Sequence, residues 1–294
     1  MRTITFTEAI LETQTQLLET DPQCFLMGEG IIDKNAIFGT CTGLHTKFPG
    51  RVIESPISEN GITGVCIGAA VAGMKPIHIH QRMDFMLYAM DQIVNNAAKW
   101  YSMFGGQAGN CPLVIRCIIG RGWGQGNQHS QDLTNLFREI PGLIICTPSN
   151  AHDAKGLLIA AHRNPNPVIF IEHRWLHHTT SVVPENMYEL SFEDKIIRDG
   201  EEQIYATGYG VVECLKAAEF LSQMGIELRI IERHTFQNNK PYPPSTSGLI
   251  KGFYPNFLAI VKLFAGDRKI PKAIEYYESI KHHDIPNADF RGPF

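Results

Sequence analysis

Five short apolar runs, QCFLMGE, KPIHIH, PLVIRCII, GLIICTP and NPVIFIEH, punctuate residues 23–173. They are rich in Ile and Val, lack strict polar alternation, and are separated by helix-forming segments. A strand with no polar face is covered on both sides, so the pattern predicts an α/β fold with a parallel sheet between helices. Between the runs, TFTE (Thr5–Glu8) has capping-box spacing and opens a helix to about Leu18. Residues 61–74 read as a helix of small residues, and a long helix is expected from about Asp84 to Met103. Ser149 is placed to cap AHDAKGLLIAAHR, and the Gly-rich loop GRGWGQGNQHSQD leads to a further helix with Ser130 as its candidate cap.

Periodicity lapses over 174–200 and then resumes. QIYATG reads as a strand, GVVECLKAAEFLSQMG as a helix with Gly225 past its end, and IELRIIE as a strand. After His234, FQNNKPYPPSTSG is too rich in Asn and Pro for a regular element, and PNFLAIVKLF reads as one more helix. This divides the chain into residues 1–180, a linker at 181–200, and a second α/β unit at 201–294.

The net charge of -4 spreads over 294 residues without a basic block, which argues against nucleic acid as a partner. No apolar stretch reaches the ~18 residues of a membrane span, and the N-terminus lacks the apolar core of a signal peptide, so a cytoplasmic protein is expected. The seven cysteines are odd in number, form no CxxC pair, and mostly sit in apolar runs, so they read as buried reduced thiols.

Candidate chemistry is sparse by motif alone, with no P-loop, GxSxG or HExxH. His78 and His80 alternate on one strand and share a face, where they could begin a metal site, although no third ligand is apparent. The pairs His177–His178 and His282–His283 read as surface histidines. His129 follows the Gly-rich loop, where an imidazole could serve as acid, base or oxyanion donor, or simply close the loop. Glu59 stands before the small-residue helix GITGVCIGAAVAGM, where a helix N-terminus favours any carboxylate.

Taken in order, VIESPISENGITGVCIGAAVAGMKPI, DFMLYAMDQIVNNAAKW, GGQAGNCPLVIR, QHSQD, PGLIICTPSNAHDAKGLL and NPVIFIEHRWL resemble the beta subunit of thiamin-diphosphate-dependent 2-oxo acid dehydrogenases of the pyruvate and branched-chain type. The resemblance spans roughly residues 1–235. It implies a pyrimidine-binding, transketolase-like first domain and a transketolase C-terminal-like second domain. It also implies oxidative decarboxylation of a small 2-oxo acid, with acyl transfer to a lipoyl group or another acceptor. In that family the glutamate matching Glu59 bonds a ring nitrogen of the cofactor's aminopyrimidine and drives formation of its reactive carbanion. The position of Phe85 is an aromatic lying against that ring, that of His129 a histidine near the substrate carbonyl, and that of Glu29 an acid near the cofactor. A potassium ion is held largely by backbone oxygens at positions matching Leu113, Ala161, His162, Asn164 and Asn166.

The GDG motif that grips the diphosphate through magnesium is absent from this chain. The resemblance accounts for this, because the alpha subunit carries that site, in a heterotetramer of two alpha and two beta chains. A lipoyl acyltransferase is a further implied partner. Two features depart from the pattern. HIHQRMDF stands where many relatives have EIQFADF; with GRGWGQG it resembles a subgroup found among sugar and polysaccharide biosynthesis genes, and Arg82 or Arg121 could pair with an anionic substrate. The second domain reads as shortened between IELRIIERHTFQ and YPPSTSGLIKGFYPN. Three alternatives stand beside this reading: a non-catalytic paralogue that only binds the alpha subunit, a non-decarboxylating transketolase-type enzyme, and a metal hydrolase built on His78 and His80.

Overall fold

A computed structural model describes residues 2–122, 124–236 and 256–280. The Asn- and Pro-rich stretch over 237–255, most of the YPPSTSGLIKGFYPN resemblance, the pair His282–His283 and the tail NADFRGPF lie outside the described residues.

In chain order the strands are β1 (Arg2–Thr5), β2 (Cys24–Gly28), β3 (Val52–Glu54), β4 (Lys75–His80), β5 (Val114–Ile119), β6 (Ile144–Cys146), β7 (Val168–His173), β8 (Thr180–Val183), β9 (Lys195–Arg198), β10 (Glu202–Ala206), β11 (Leu228–Glu232) and β12 (Thr235–Phe236). The large sheet runs β12-β6-β7-β5-β4-β2-β3. Strands β2 to β7 are parallel, and β12 adds antiparallel to the β6 edge. The five apolar runs supply five of the parallel strands. The sixth, β3, has three residues, too few to carry a period. Strands β1 and β8 form a separate antiparallel pair.

Helices cover both faces of the large sheet, as the missing polar alternation requires. The Phe6–Thr20 and Ala151–Arg163 helices share one core with Leu26, Ile77, Ile79, Val114 and Phe170. The Glu59–Val71 helix and the segment after Met83 share the other with Ile115, Cys117, Ile169 and Ile171. The capping box forms: Glu8 N–H donates to the Thr5 hydroxyl at 3.1 Å, and Thr5 N–H donates to the Glu8 carboxylate at 2.7 Å. Gly28 lets β2 and β4 approach closely, since a Cβ there would sit 2.7 Å from the Ile79 carbonyl oxygen.

Several local expectations are corrected. The Asp84–Met103 helix is broken into Met83–Met86, a tight turn at Leu87–Ala89, a wide turn at Gln92–Ala97 and Trp100–Met103. At the wide turn Ala98 N–H reaches back five residues to the Ile93 carbonyl. Asn150 rather than Ser149 caps the Ala151–Arg163 helix, its Oδ1 accepting from Asp153 N–H at 2.9 Å. Ser130 donates to the Gly126 carbonyl instead of capping, and the next helix, Thr134–Arg138, has its first N–H bound by Asp132. His177 is fully buried, 3.5 Å from Glu172 and stacked on Phe6, while His178 is exposed. Glu172 in turn grips Arg116 through two bonds of 2.6 and 2.9 Å, and both side chains are wholly buried. Thr40 and Gln14 accept from the same guanidinium. All seven cysteines are free and buried.

The second sheet has the order β10-β11-β9, with β10 and β11 parallel and β9 antiparallel. The Tyr209–Ser222, Phe257–Ala265 and Ile270–Ile280 helices pack on it around Phe220, Leu228, Ile230, Phe257 and Ala273. Strand β9 lies inside the stretch read as linker. Among the described residues, no helix is long and apolar enough to cross a membrane.

Candidate active site

Where β2 and β4 end, a recess of about 80 Å³ opens, with Glu29, Glu59, His80, Gln81 and Phe85 on its walls. Three segments converge there because the strands are parallel and deliver their C-terminal ends to one side. Glu29 follows β2, Glu59 is the first residue of its helix, and Phe85 lies in the short helix after β4. A complete small-molecule pocket takes about 300–1,000 Å³, so the recess is a fraction of one.

His129 lies across Phe85, ring edge to face, with centroids 5.1 Å apart and planes at 83°. Its loop is tied to the Phe85 segment by Asp84, whose Oδ1 accepts from the Gln131 amide side chain at 2.7 Å. Nδ1 of His129 is buried and has no hydrogen-bond partner. Burial, aided by the charges of Glu59 and Glu54, raises the Glu29 carboxyl above its ordinary range. Glu54 itself is held by backbone N–H groups of Gly30 and Ile31 at 2.7 and 2.9 Å.

His78 and His80 share a face as the alternation requires, but both rings are bound to Thr63. Its hydroxyl lies 3.0 Å from His78 Nε2 and 3.3 Å from His80 Nε2. Burial pushes His78 down to about 4 and His80 well below the ordinary imidazole value, so both are neutral at pH 7. His78 Nδ1–H donates to the Met27 carbonyl at 3.1 Å. Thr63 O–H then donates to His78 Nε2, and His80 Nε2–H donates to Thr63. With both Nε2 atoms engaged, the pair has no place for a shared metal, and no third ligand joins it among the described residues.

Arg82 is buried, 4.9 Å above the Phe38 ring and bonded to Gln125, whereas Arg121 is exposed and lies 6.0 Å from Trp175. Leu113, Ala161, His162, Asn164 and Asn166 gather where β5 and β7 begin and the Ala151–Arg163 helix ends. The Leu113 carbonyl accepts from Val168 N–H at 2.9 Å, that of Ala161 from Asn164 N–H at 3.2 Å, and Asn164 Oδ1 from Asn166 N–H at 2.9 Å. The His162 ring bonds Asp21 at 3.1 Å. Thr63 and Glu54 carried no signal in the sequence; only the folded sheet places them beside the recess.

Residues 2–178 match the pyrimidine-binding domain of transketolase, and this is the class that the parallel sheet and its acid-lined recess define. The chain is 42% identical over 239 residues to the beta subunit of acetoin:2,6-dichlorophenolindophenol oxidoreductase of Cupriavidus necator, covering 77% of this chain and 70% of that one. It is 35% identical over 290 residues to the pyruvate dehydrogenase E1 beta subunit of Rickettsia felis, covering 96% and 87%. A solved split-gene transketolase, described as an inactive beta4 tetramer, shares the fold with a TM-score of 0.62 at 17% identity over 96% of this chain and 87% of that one. The chain therefore belongs to the beta subunits of the thiamin-diphosphate-dependent 2-oxo acid dehydrogenase family.

Proposed function

We propose that this chain forms the pyrimidine side of an active site completed by an alpha subunit, in a tetramer of two alpha and two beta chains. One observation carries the reading: Glu29, Glu59 and Phe85 line a single small recess, and the His129 ring, with a buried unpartnered nitrogen, packs edge-on against Phe85. The residues present fit an aminopyrimidine. Phe85 offers a flat apolar face, and Glu59 offers a carboxylate at the recess wall. When bound, thiamin diphosphate supplies the carbon nucleophile that adds to a carbonyl and accepts the electrons of the broken C–C bond. Glu59 would exchange a proton with a ring nitrogen, and Glu29 stands beside it on the recess wall. His129 Nδ1 holds or moves a proton at the substrate carbonyl oxygen.

Magnesium belongs to the partner in this reading, since the chain has no GDG motif. Potassium would be held at the carbonyls of Leu113, Ala161, His162, Asn164 and Asn166, and a lipoyl acyltransferase would take the acyl group. The domain limits 1–180 and 201–294 and a cytoplasmic location belong to the same reading. The substrate is a small 2-oxo acid. A second reading, cleavage of an α-hydroxyketone, is favoured by the likeness to a subunit named for acetoin.

The test is to purify the chain with an alpha partner bearing the GDG motif, supply thiamin diphosphate and magnesium, and offer pyruvate or acetoin with a dye as oxidant. Bound thiamin and release of CO2 from pyruvate support the first reading. Acetaldehyde from acetoin without CO2 moves the assignment to the second. A complex that retains no thiamin overturns both.

A further inference from the structure

Away from the recess, three ionisable side chains from distant parts of the chain meet in the interior. Asp153 lies in the first turn of the Ala151–Arg163 helix, on the large sheet. Glu232 ends β11 of the small sheet, and His234 lies two residues on, where the chain crosses to β12. Asp153 and Glu232 are fully buried, and His234 is 3% exposed. His234 Nε2 is 3.4 Å from Asp153 Oδ2 and 3.2 Å from Glu232 Oε2, and one ligand atom from each residue falls within 4.8 Å of the others. Both oxygens of Glu232 and both ring nitrogens of His234 lack a hydrogen-bond partner.

Asp153 is oriented from outside the cluster. Its carboxylate accepts from Asn150 at 2.7 Å, lies 3.0 Å from His152 Nδ1, and has the Lys195 ammonium 3.4 Å away. These contacts aim Asp153, yet the Glu232 carboxylate is left without a hydrogen bond beside the imidazole. A buried carboxylate so placed is costly unless a cation takes it up.

We propose that Asp153, Glu232 and His234 form a binding site for a divalent transition-metal ion of the zinc type, joining the two sheets. Zinc bonds to nitrogen and oxygen are about 2.0–2.1 Å, so neighbouring ligands of a tetrahedral ion stand about 3.3 Å apart. The two separations from His234 Nε2 bracket that value. One imidazole and two carboxylates, with no sulfur, are a donor set for Zn²⁺ or Co²⁺ and leave a fourth position for water. The rival occupant is a proton. Burial pushes His234 down, but the nearby carboxylates of Asp153 and Glu232 outweigh it and carry the imidazole to about 9. Nε2 carries only one hydrogen and makes a hydrogen bond of sound geometry to neither carboxylate, whereas an ion between them engages both.

The experiment uses the full chain, with its alpha partner where that is needed for solubility. After chelation and dialysis, Co²⁺ is titrated in and the visible spectrum recorded; Zn²⁺ is then counted by mass spectrometry. The expected result is about one ion per chain, an intense tetrahedral Co²⁺ band, and a higher thermal midpoint that chelator reverses. Glu232→Gln and His234→Ala should each weaken binding at least about tenfold. A folded wild-type chain that gives no Co²⁺ band and holds no Zn²⁺ overturns the proposal, and so does equal binding by Glu232→Gln. Neither outcome touches the thiamin reading, which rests on other residues.

Discussion

The two sheets bury their strands unequally. The large sheet is sandwiched: β5 contributes Val114 and Ile118 to one core and Ile115, Cys117 and Ile119 to the other, all at most 6% exposed. The small sheet is supported by a single core, and Ile196 on β9 remains 59% exposed. The recess, with Glu59 and Phe85, lies wholly in the large sheet. The small sheet reaches across through Glu232, His234 and β12. A doubly covered sheet can hold side chains to fixed positions, which preorganised chemistry requires.

The strongest test of where the chemistry lies is Glu59→Gln. The substitution keeps shape and removes the charge that holds a proton. In the alpha–beta complex we expect turnover to fall on the order of 10³-fold, with the thermal midpoint of the chain unchanged. Turnover near wild type would move the chemistry out of the recess.

Next in size is Arg116→Ala. It leaves Glu172 charged and fully buried, with the His177 ring 3.5 Å away. Stranding one partner of such a pair costs about 3–5 kcal/mol, read as a lower denaturant midpoint. Replacing both partners with apolar residues of like volume should recover much of that loss. If Arg116→Ala proves neutral, the large sheet is less rigid than its two cores imply.

Phe220→Ala probes the other side of the comparison. Phe220 is 6% exposed and packs on Phe257 and Tyr276, with ring centroids 5.8 and 5.2 Å away. Its loss should cost about 3 kcal/mol. Hydrogen exchange should speed up in Leu228–Glu232 while Val114–Ile119 stays protected. Equal loss of protection in both strands would show one cooperative unit.

The same inequality explains what the sequence discloses. Five buried strands of the large sheet stand out because both faces are apolar, so each leaves an unbroken hydrophobic run. Strand β3 is too short for that, and β9 exposes one side and falls in a stretch without periodicity. His177 reads as a surface residue because its partners, Glu172 and Phe6, arrive from other elements. Glu29, Glu59, Phe85 and His129 are separate marks along the chain and group only through a resemblance. Thr63 between two histidines, and Asp153 facing Glu232 and His234, have no spacing signal, since parallel strands join residues far apart in sequence.

The smallest expected effect concerns the entry to the large sheet, where the capping box starts the first helix. The Glu8 carboxylate accepts from the Thr5 N–H at 2.7 Å and from its hydroxyl at 2.8 Å, and these bonds hold its pKa below the ordinary 4.5. A lowered folded value means that the stabilisation is fully present above the ordinary carboxylate range and is lost as pH falls through the folded value. Thr5→Ala removes both the hydroxyl that accepts Glu8 N–H and one donor to the carboxylate. It should cost about 1 kcal/mol at pH 7, or about 2 °C in thermal midpoint for a chain of this length. In acid, once the pH has fallen through the lowered folded value, wild type has already lost part of the same interaction and the gap should narrow. A gap that stays constant between the two pH values would mean that the Thr5 hydroxyl acts on the helix backbone alone, and that the carboxylate adds nothing to the start of the fold's better-buried half.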